Sequence, residues 1–158
     1  MVSIATQILE TVALSRFFDA PRDRVFRAWT NPEELRSWWR PGGFSTTAVA
    51  IDLRVGGEYR IDMLSPAGKP QLLFGRYLEI RAPERLVMTF SLLGSEHDDG
   101  YEALLTLDFT ESGTGTELAL VHERLPRPST AMFEAGWKRV LGDLQSYVAM
   151  PRLWEQGS

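Results

Sequence analysis

The sequence predicts an α+β fold: a curved antiparallel sheet of about six to seven strands wrapped on one long C-terminal helix, with two short helices after the first strand. Three observations predict it. From Phe44 to Glu123, apolar and polar residues alternate in short runs separated by Gly- and Pro-rich turns, the pattern of antiparallel strands with one dry face. From Ser129 or Thr130 to about Met150 the apolar spacing becomes helical, and twenty such residues span roughly 30 Å. Two short helical patterns also separate an opening strand from the rest. A curved sheet must bury its dry face, and a helix of that length is a suitable cover.

The elements follow in order. Residues 8–18 (ILETVALSRFF) are β-branched and apolar enough for a strand, which Asp19-Ala20-Pro21 breaks. Pro21 suits the first position of a helix, where its missing N–H costs nothing. Val25, Phe26 and Trp29 give that helix, from about 21 to 30, its apolar spacing. Asn31 as N-cap, Pro32 in the first turn and Glu34 three residues past the cap resemble a capping box and start a second helix. Leu35, Trp38 and Trp39 form its apolar edge, and Arg40-Pro41-Gly42-Gly43 stops it.

Val49, Ile51, Leu53 and Val55 alternate with Ala50, Asp52 and Arg54, and Gly56-Gly57 predicts a tight hairpin turn into Tyr59, Ile61 and Met63. After the loop 65–70, strands are expected over 72–80, 86–93 and 101–109, and again over 117–123. Strands joined by short turns make a meander. Leu125-Pro126-Arg127-Pro128 ends the sheet. On the last helix Phe133, Trp137, Val140, Leu144 and Val148 share one stripe, Glu134 and Lys138 form an i,i+4 pair, and Pro151 ends the helix.

Composition narrows the function. At 158 residues, with 44% hydrophobic and 24% charged residues, the chain has the length and balance of a single domain, 1–158, with its core over about 8–150. No repeat, linker or low-complexity segment divides it. A formal charge of −4 argues against a nucleic-acid partner. There is no cysteine and there are two histidines, so thiol nucleophiles, zinc ribbons, iron–sulfur clusters and a His-rich metal centre are set aside. Gly56-Gly57 is followed by neither a lysine nor a helix start, which removes the phosphate-loop and dinucleotide readings. The acidic loop Glu96–Asp99, with His97, lacks calcium-loop spacing and reads as a solvated loop. No metal and no cofactor is therefore expected. No apolar run is long enough for membrane insertion. The N-terminal MVSIATQILETVALS lacks a basic residue before Arg16 and does not read as a secretory signal; with no cysteine, the expected compartment is cytoplasmic.

Four segments then carry a family resemblance: APRDRVFRAWTNPEELRSWW at 20–39, AIDLRVGGEYRIDM at 50–63, GRYLEIRAPERLVMTF at 75–90, and TELALVHERLP at 116–126 followed by Gly136-Trp137. Their order and spacing resemble the SRPBCC superfamily, the helix-grip fold shared with START lipid-transfer domains and birch-pollen-allergen proteins. Within it they resemble the bacterial branch named after the activator of heat-shock protein 90 ATPase. The resemblance covers about 9–150. It implies a hydrophobic cavity between the sheet and the last helix, used in the superfamily for lipids, polyketides, hormones or other small molecules, with some relatives acting as cyclases or dehydratases. The co-chaperone role belongs to a larger architecture and is not carried over.

That implication turns the dry face into a candidate binding site for a hydrophobic, lipid- or polyketide-like small molecule. The expected lining is Ile61, Met63, Phe74, Leu78, Met88, Phe90, Leu105, Leu107 and Leu120 from the sheet, and Phe133, Trp137, Val140 and Leu144 from the helix. The bland alternative is a close-packed core. Trp38 and Trp39, before the Pro-Gly-Gly loop, are candidates for the pocket mouth, or else core. His122 shares a face with Leu118 and Leu120, so its imidazole is expected inward. There it orients a ligand, serves as the candidate catalytic base of a cyclase or dehydratase, or simply holds the strand-to-helix corner. An inward carboxylate or tyrosine beside it would favour the enzyme. Tyr59 and Tyr101 are further candidates to present hydroxyls. Asp52 and Arg54 read as a surface ion pair, and Gly136 and Gly142 as helix positions left small for close approach or for a ligand. A third reading is a protein-interaction or co-chaperone-like module, including a chaperone partner or a homodimer, which calls for a filled interior and an exposed apolar patch.

Overall fold

A computed structural model describes residues 9–94, 102–126 and 130–149. The expectations for the acidic loop with His97, for Tyr101, for a cap at Ser129, and for Met150 and Pro151 lie outside the described residues. Strand β1 (Leu9–Phe18) leads into helices α1 (Arg22–Thr30) and α2 (Pro32–Trp38) and a short 3₁₀ turn, Pro41–Gly43. Strands β2 (Ser45–Ile51), β3 (Glu58–Leu64), β4 (Pro70–Arg81), β5 (Arg85–Leu93), β6 (Ala103–Ser112) and β7 (Gly115–Pro126) follow, and α3 (Thr130–Ala149) closes the chain.

The seven strands form one antiparallel sheet in the order β1-β7-β6-β5-β4-β3-β2. This is the expected α+β helix-grip architecture: a meander of six strands with the first strand added beyond the last. Because β1 and β2 occupy opposite edges, α1 and α2 carry the chain across the end of the sheet. Register shifts interrupt β1 against β7, β2 against β3, and β4 against β5. Each such bulge bends its strand and increases the twist, which curves the sheet around α3. The helix lays Phe133, Trp137, Val140, Leu141, Leu144 and Val148 on the concave face, all buried.

Local chemistry explains the ends of the helices, with small corrections to the sequence reading. Pro21 is the N-cap of α1, one position before the first helical residue expected for it. Asn31 Oδ1 accepts from the backbone N–H groups of Glu33 and Glu34 at 3.1 Å, so the cap of α2 forms as expected. The reciprocal half of a capping box does not. The Asn31 N–H is spent on the Arg27 carbonyl, and Glu34 turns inward. Its buried carboxylate meets Arg27 Nε at 2.8 Å and accepts from the Tyr147 hydroxyl at 3.0 Å, tying α1 and α2 to α3.

The β2–β3 connection is also longer than the expected tight turn. It runs over 52–57, and Leu53 and Val55 are exposed connection residues rather than strand residues. The Gly56 N–H donates to the Tyr77 carbonyl and the Tyr77 N–H donates to the Gly57 carbonyl, so this loop folds onto β4. A side chain at Gly57 would place Cβ 2.1 Å from the Asp52 carbonyl oxygen, which is why the position is glycine. Asp52 and Arg54 form the expected exposed ion pair at 2.8 Å. Among the described residues, no helix is long and apolar enough to cross a membrane.

Candidate functional site: an apolar hollow under the last helix

Between the N-terminal half of α3, the 3₁₀ turn and strands β3–β5 the protein encloses a hollow of about 480 Å³. The sheet contributes Met63, Gln71, Leu73, Phe90 and Leu92. The helix contributes Met132, Phe133, Ala135, Gly136, Trp137, Arg139 and Val140, and Trp39, Pro41, Gly42 and Phe44 close the side. Among the described residues, Gln71 and Arg139 are the only lining side chains bearing an amide or a charge. Gly42, Met132, Ala135 and Arg139 are exposed, so the hollow meets solvent between the 3₁₀ turn and the first turns of α3.

The structure divides the expected lining three ways. Met63, Phe90, Phe133, Trp137 and Val140 line the hollow, and so does Trp39. Ile61, Met88, Leu105, Leu107, Leu120 and Leu144 are buried on the same dry side but sit in the packed core beside it. Phe74 and Leu78 are corrected: both are exposed on the outer face of the sheet. Leu72-Leu73-Phe74 is an uninterrupted apolar run, and parity cannot be read from such a run alone. Register decides it, because Ile61 faces Leu73 across the ladder while Arg60 faces Phe74. Directly opposed residues share a face, so the inward Ile61 brings Leu73 inward with it. The same parity leaves Leu78 outside with Phe74, and the register shift between Tyr77 and Glu79 then resets the alternation, bringing Ile80 against the core.

Leu73, Leu92, Phe44, Met132, Ala135, Gln71 and Arg139 are the lining side chains that sequence reasoning missed. Leu73 was recoverable from the strand pairing just described. The rest lie at strand ends, in a loop or at the edge of the helical stripe, where periodicity carries no signal.

Trp38 is core rather than mouth: it is buried, and its Nε1–H donates to the Ala28 carbonyl at 2.9 Å. Trp39 belongs to the wall of the hollow. Its backbone carbonyl accepts from the Thr46 hydroxyl, fixing the residue beside the 3₁₀ turn, while its buried Nε1 has no hydrogen-bond partner. Trp29, Trp38, Trp39 and Trp137 form a contiguous aromatic cluster with ring centroids 4.9–6.3 Å apart. Tilted and edge-on rings of this kind make a stiff wall. Gly136 faces open space, with no atom within 4 Å of where a Cβ would stand, whereas Gly142 lies near the Arg16 guanidinium.

His122 is fully buried and inward, as its alternation with Leu118 and Leu120 requires. Phe90, Phe133 and Trp137 surround its ring at centroid distances of 4.4, 5.0 and 5.7 Å. Its Nδ1 accepts a hydrogen bond from Trp137 Nε1 at 2.9 Å, which puts the imidazole proton on Nε2, a buried atom without a partner. Burial disfavours the charged form and lowers its pKa from 6.5 to about 3. Such an imidazole is a poor proton acceptor near neutrality, and its lone-pair nitrogen is already engaged. Tyr59 is likewise committed: its hydroxyl donates to the Thr89 carbonyl at 2.6 Å, and burial, followed by the neighbouring Tyr77, pushes its pKa well above the ordinary value. Among the described residues no group of three or more His, Asp, Glu or Cys side chains could hold a metal ion.

A second depression of about 630 Å³ lies on the outer face, around Phe74, Gly75 and Thr89. Its rim is charged, and its arginines Arg60 and Arg76 are paired with Asp62 and Glu102.

A curved sheet gripping a long helix over an apolar hollow defines the class: this is a helix-grip domain. The chain belongs to the family described as Activator of Hsp90 ATPase homolog 1-like protein, which matches residues 19–149, and the resemblance read from its sequence segments is borne out. Among solved structures, protein CV1439 from Chromobacterium violaceum is 32% identical with a TM-score of 0.78, over 90% of this chain and 99% of that one. Protein NE0264 from Nitrosomonas europaea is 23% identical with a TM-score of 0.76, over 94% and 97% of the two chains. A protein from Rhizobium leguminosarum is 22% identical with a TM-score of 0.81, over 91% and 97%. The last two show the shared fold alone. No curated protein matches the chain.

Proposed function

We propose that the protein binds a hydrophobic small molecule non-covalently in the hollow between the sheet and α3. The observation that carries this reading is the chemistry of the space: about 480 Å³ whose described lining is apolar and aromatic apart from Gln71 and Arg139. Small-molecule sites are typically concave, mainly apolar, roughly 300–1,000 Å³, and supplied with few polar groups. Burial of apolar ligand surface would supply affinity at about 25 cal/mol per Å², less the cost of ordering. Met63 and Met132 adapt to ligand shape, and the aromatic wall gives the site a fixed side.

The cyclase or dehydratase alternative has less support. His122, its candidate base, is held neutral by burial and hydrogen-bonded to an indole rather than to a carboxylate or tyrosine. Its role in this reading is to set the position of Trp137, and through it the wall of the hollow.

The test is a fluorescence titration with N-phenyl-1-naphthylamine, an uncharged apolar dye. Saturable one-to-one binding is expected, and Gly136→Leu, which projects a side chain into the open space, weakens it. Ser146→Leu, an exposed position on the same helix, serves as the control and leaves it unchanged. No saturable binding, or equal binding in the folded Gly136→Leu protein, would overturn the reading.

A further inference from the structure

The hollow's lining is apolar but not electrically neutral. Among the described residues, Arg139 is its one charged lining residue and no carboxylate lines it. Eight other arginine or lysine side chains are drawn into ion pairs, among them Lys138 with Glu134 one helical turn back. Arg139 makes no ion pair or side-chain hydrogen bond among the described residues, although Asp143 follows it by one turn of the same helix. Its neighbour across the hollow in polarity, Gln71, is neutral and makes no side-chain hydrogen bond among the described residues either. Opposite Gln71 on the ladder stands the apolar Met63. An unpaired guanidinium at the solvent edge of a greasy space, in a protein of net charge −4, is a local attraction for one kind of molecule.

Resting on the binding reading above, we propose that the ligand is an amphipathic anion, an apolar chain or ring ending in a carboxylate, with its head held at the mouth by Arg139 and its tail in the hollow. A guanidinium matches a carboxylate in a planar two-pronged geometry, and such charge-assisted bonds are stronger than neutral ones. Gln71 adds an amide that can donate to the same head. The tail packs against Leu73, Phe90 and Trp137, which have no polar group to offer it other than an indole N–H already bound to His122.

The experiment compares decanoate, decanol and decyltrimethylammonium as competitors of N-phenyl-1-naphthylamine at neutral pH and low salt. The tails match to within one methylene, and decanoate carries the shorter one, so a preference for it comes from the head. Decanoate is expected to displace the dye at about fivefold or more lower concentration than decanol, with the cation weakest, and added salt should narrow the gap. Arg139→Gln should bring decanoate level with decanol, each displacement being referred to that variant's own dye affinity, and Arg139→Lys should restore part of the preference. Decanol equal to or better than decanoate in the native chain would overturn the inference, as would a preference that survives Arg139→Gln or dye displaced by none of the three. If the dye itself fails to bind, the binding reading falls first and takes this inference with it.

Discussion

Trp137 on α3 donates its indole N–H to Nδ1 of His122 on β7 at 2.9 Å, so the residue that walls the hollow is anchored through the one buried imidazole of the sheet. The bond joins the two layers of the fold at the point where they face one another. It also fixes the tautomer of a histidine that burial holds neutral.

Stability should therefore fall with acid in a way that depends on His122. In the unfolded chain its pKa returns to about 6.5, while in the folded protein it is about 3. The unfolded state then binds the extra proton first. The contribution is fully present above about pH 6.5 and is lost progressively as pH falls toward 3, by an amount on the order of a few kcal/mol. Urea midpoints measured at several pH values check it. The native chain should lose more stability between neutral and mildly acid pH than His122→Gln, and parallel curves would refute the assignment.

Trp137→Phe removes the donor, leaves His122 Nδ1 unpaired, and opens space beside the aromatic cluster. A cost of about 2–4 kcal/mol is expected in chemical denaturation, combining a buried unsatisfied group with a truncated core ring.

Gly136→Ala should have the opposite sign. Its Cβ would meet open space, and replacing glycine inside a helix gains roughly 0.5–1 kcal/mol. The melting temperature should rise, and a fall would mean that the hollow at this position is filled by protein.

Gly57→Ala should be strongly destabilising, by about 2 kcal/mol or more, because the new Cβ collides with the Asp52 carbonyl oxygen and the loop cannot hold its bonds to Tyr77. Thermal unfolding of the purified variant checks this. A melting temperature equal to that of the native chain would show that the 52–57 loop relaxes freely.

Much of the fold was legible because each strand carries its own evidence of facing. Ala103, Leu105, Leu107 and Phe109 alternate cleanly and are all buried, and the stripe Phe133, Trp137, Val140, Leu144 and Val148 lies where helical spacing puts it. Legibility failed where the local pattern was degenerate. Leu72-Leu73-Phe74 satisfies either parity, Leu78 follows the parity of Phe74 to the outside, and the bulge after Tyr77 brings Ile80 inward with no mark in the sequence. Glu34 has the spacing of a capping residue, yet a partner 113 positions away, Tyr147, competes for its carboxylate.

By itself, then, the sequence determined the order of elements, the antiparallel sheet, the dry face and the covering helix, because these rest on periodicity within a dozen residues. Only the tertiary structure decided which dry-face residues border empty space and which are packed, that His122 pairs with Trp137, and that Arg139 stands at the mouth with no ion pair among the described residues. A hollow is a small difference between large packed volumes, and a pairing depends on the distance between segments remote in the chain. Neither quantity is encoded in any local window.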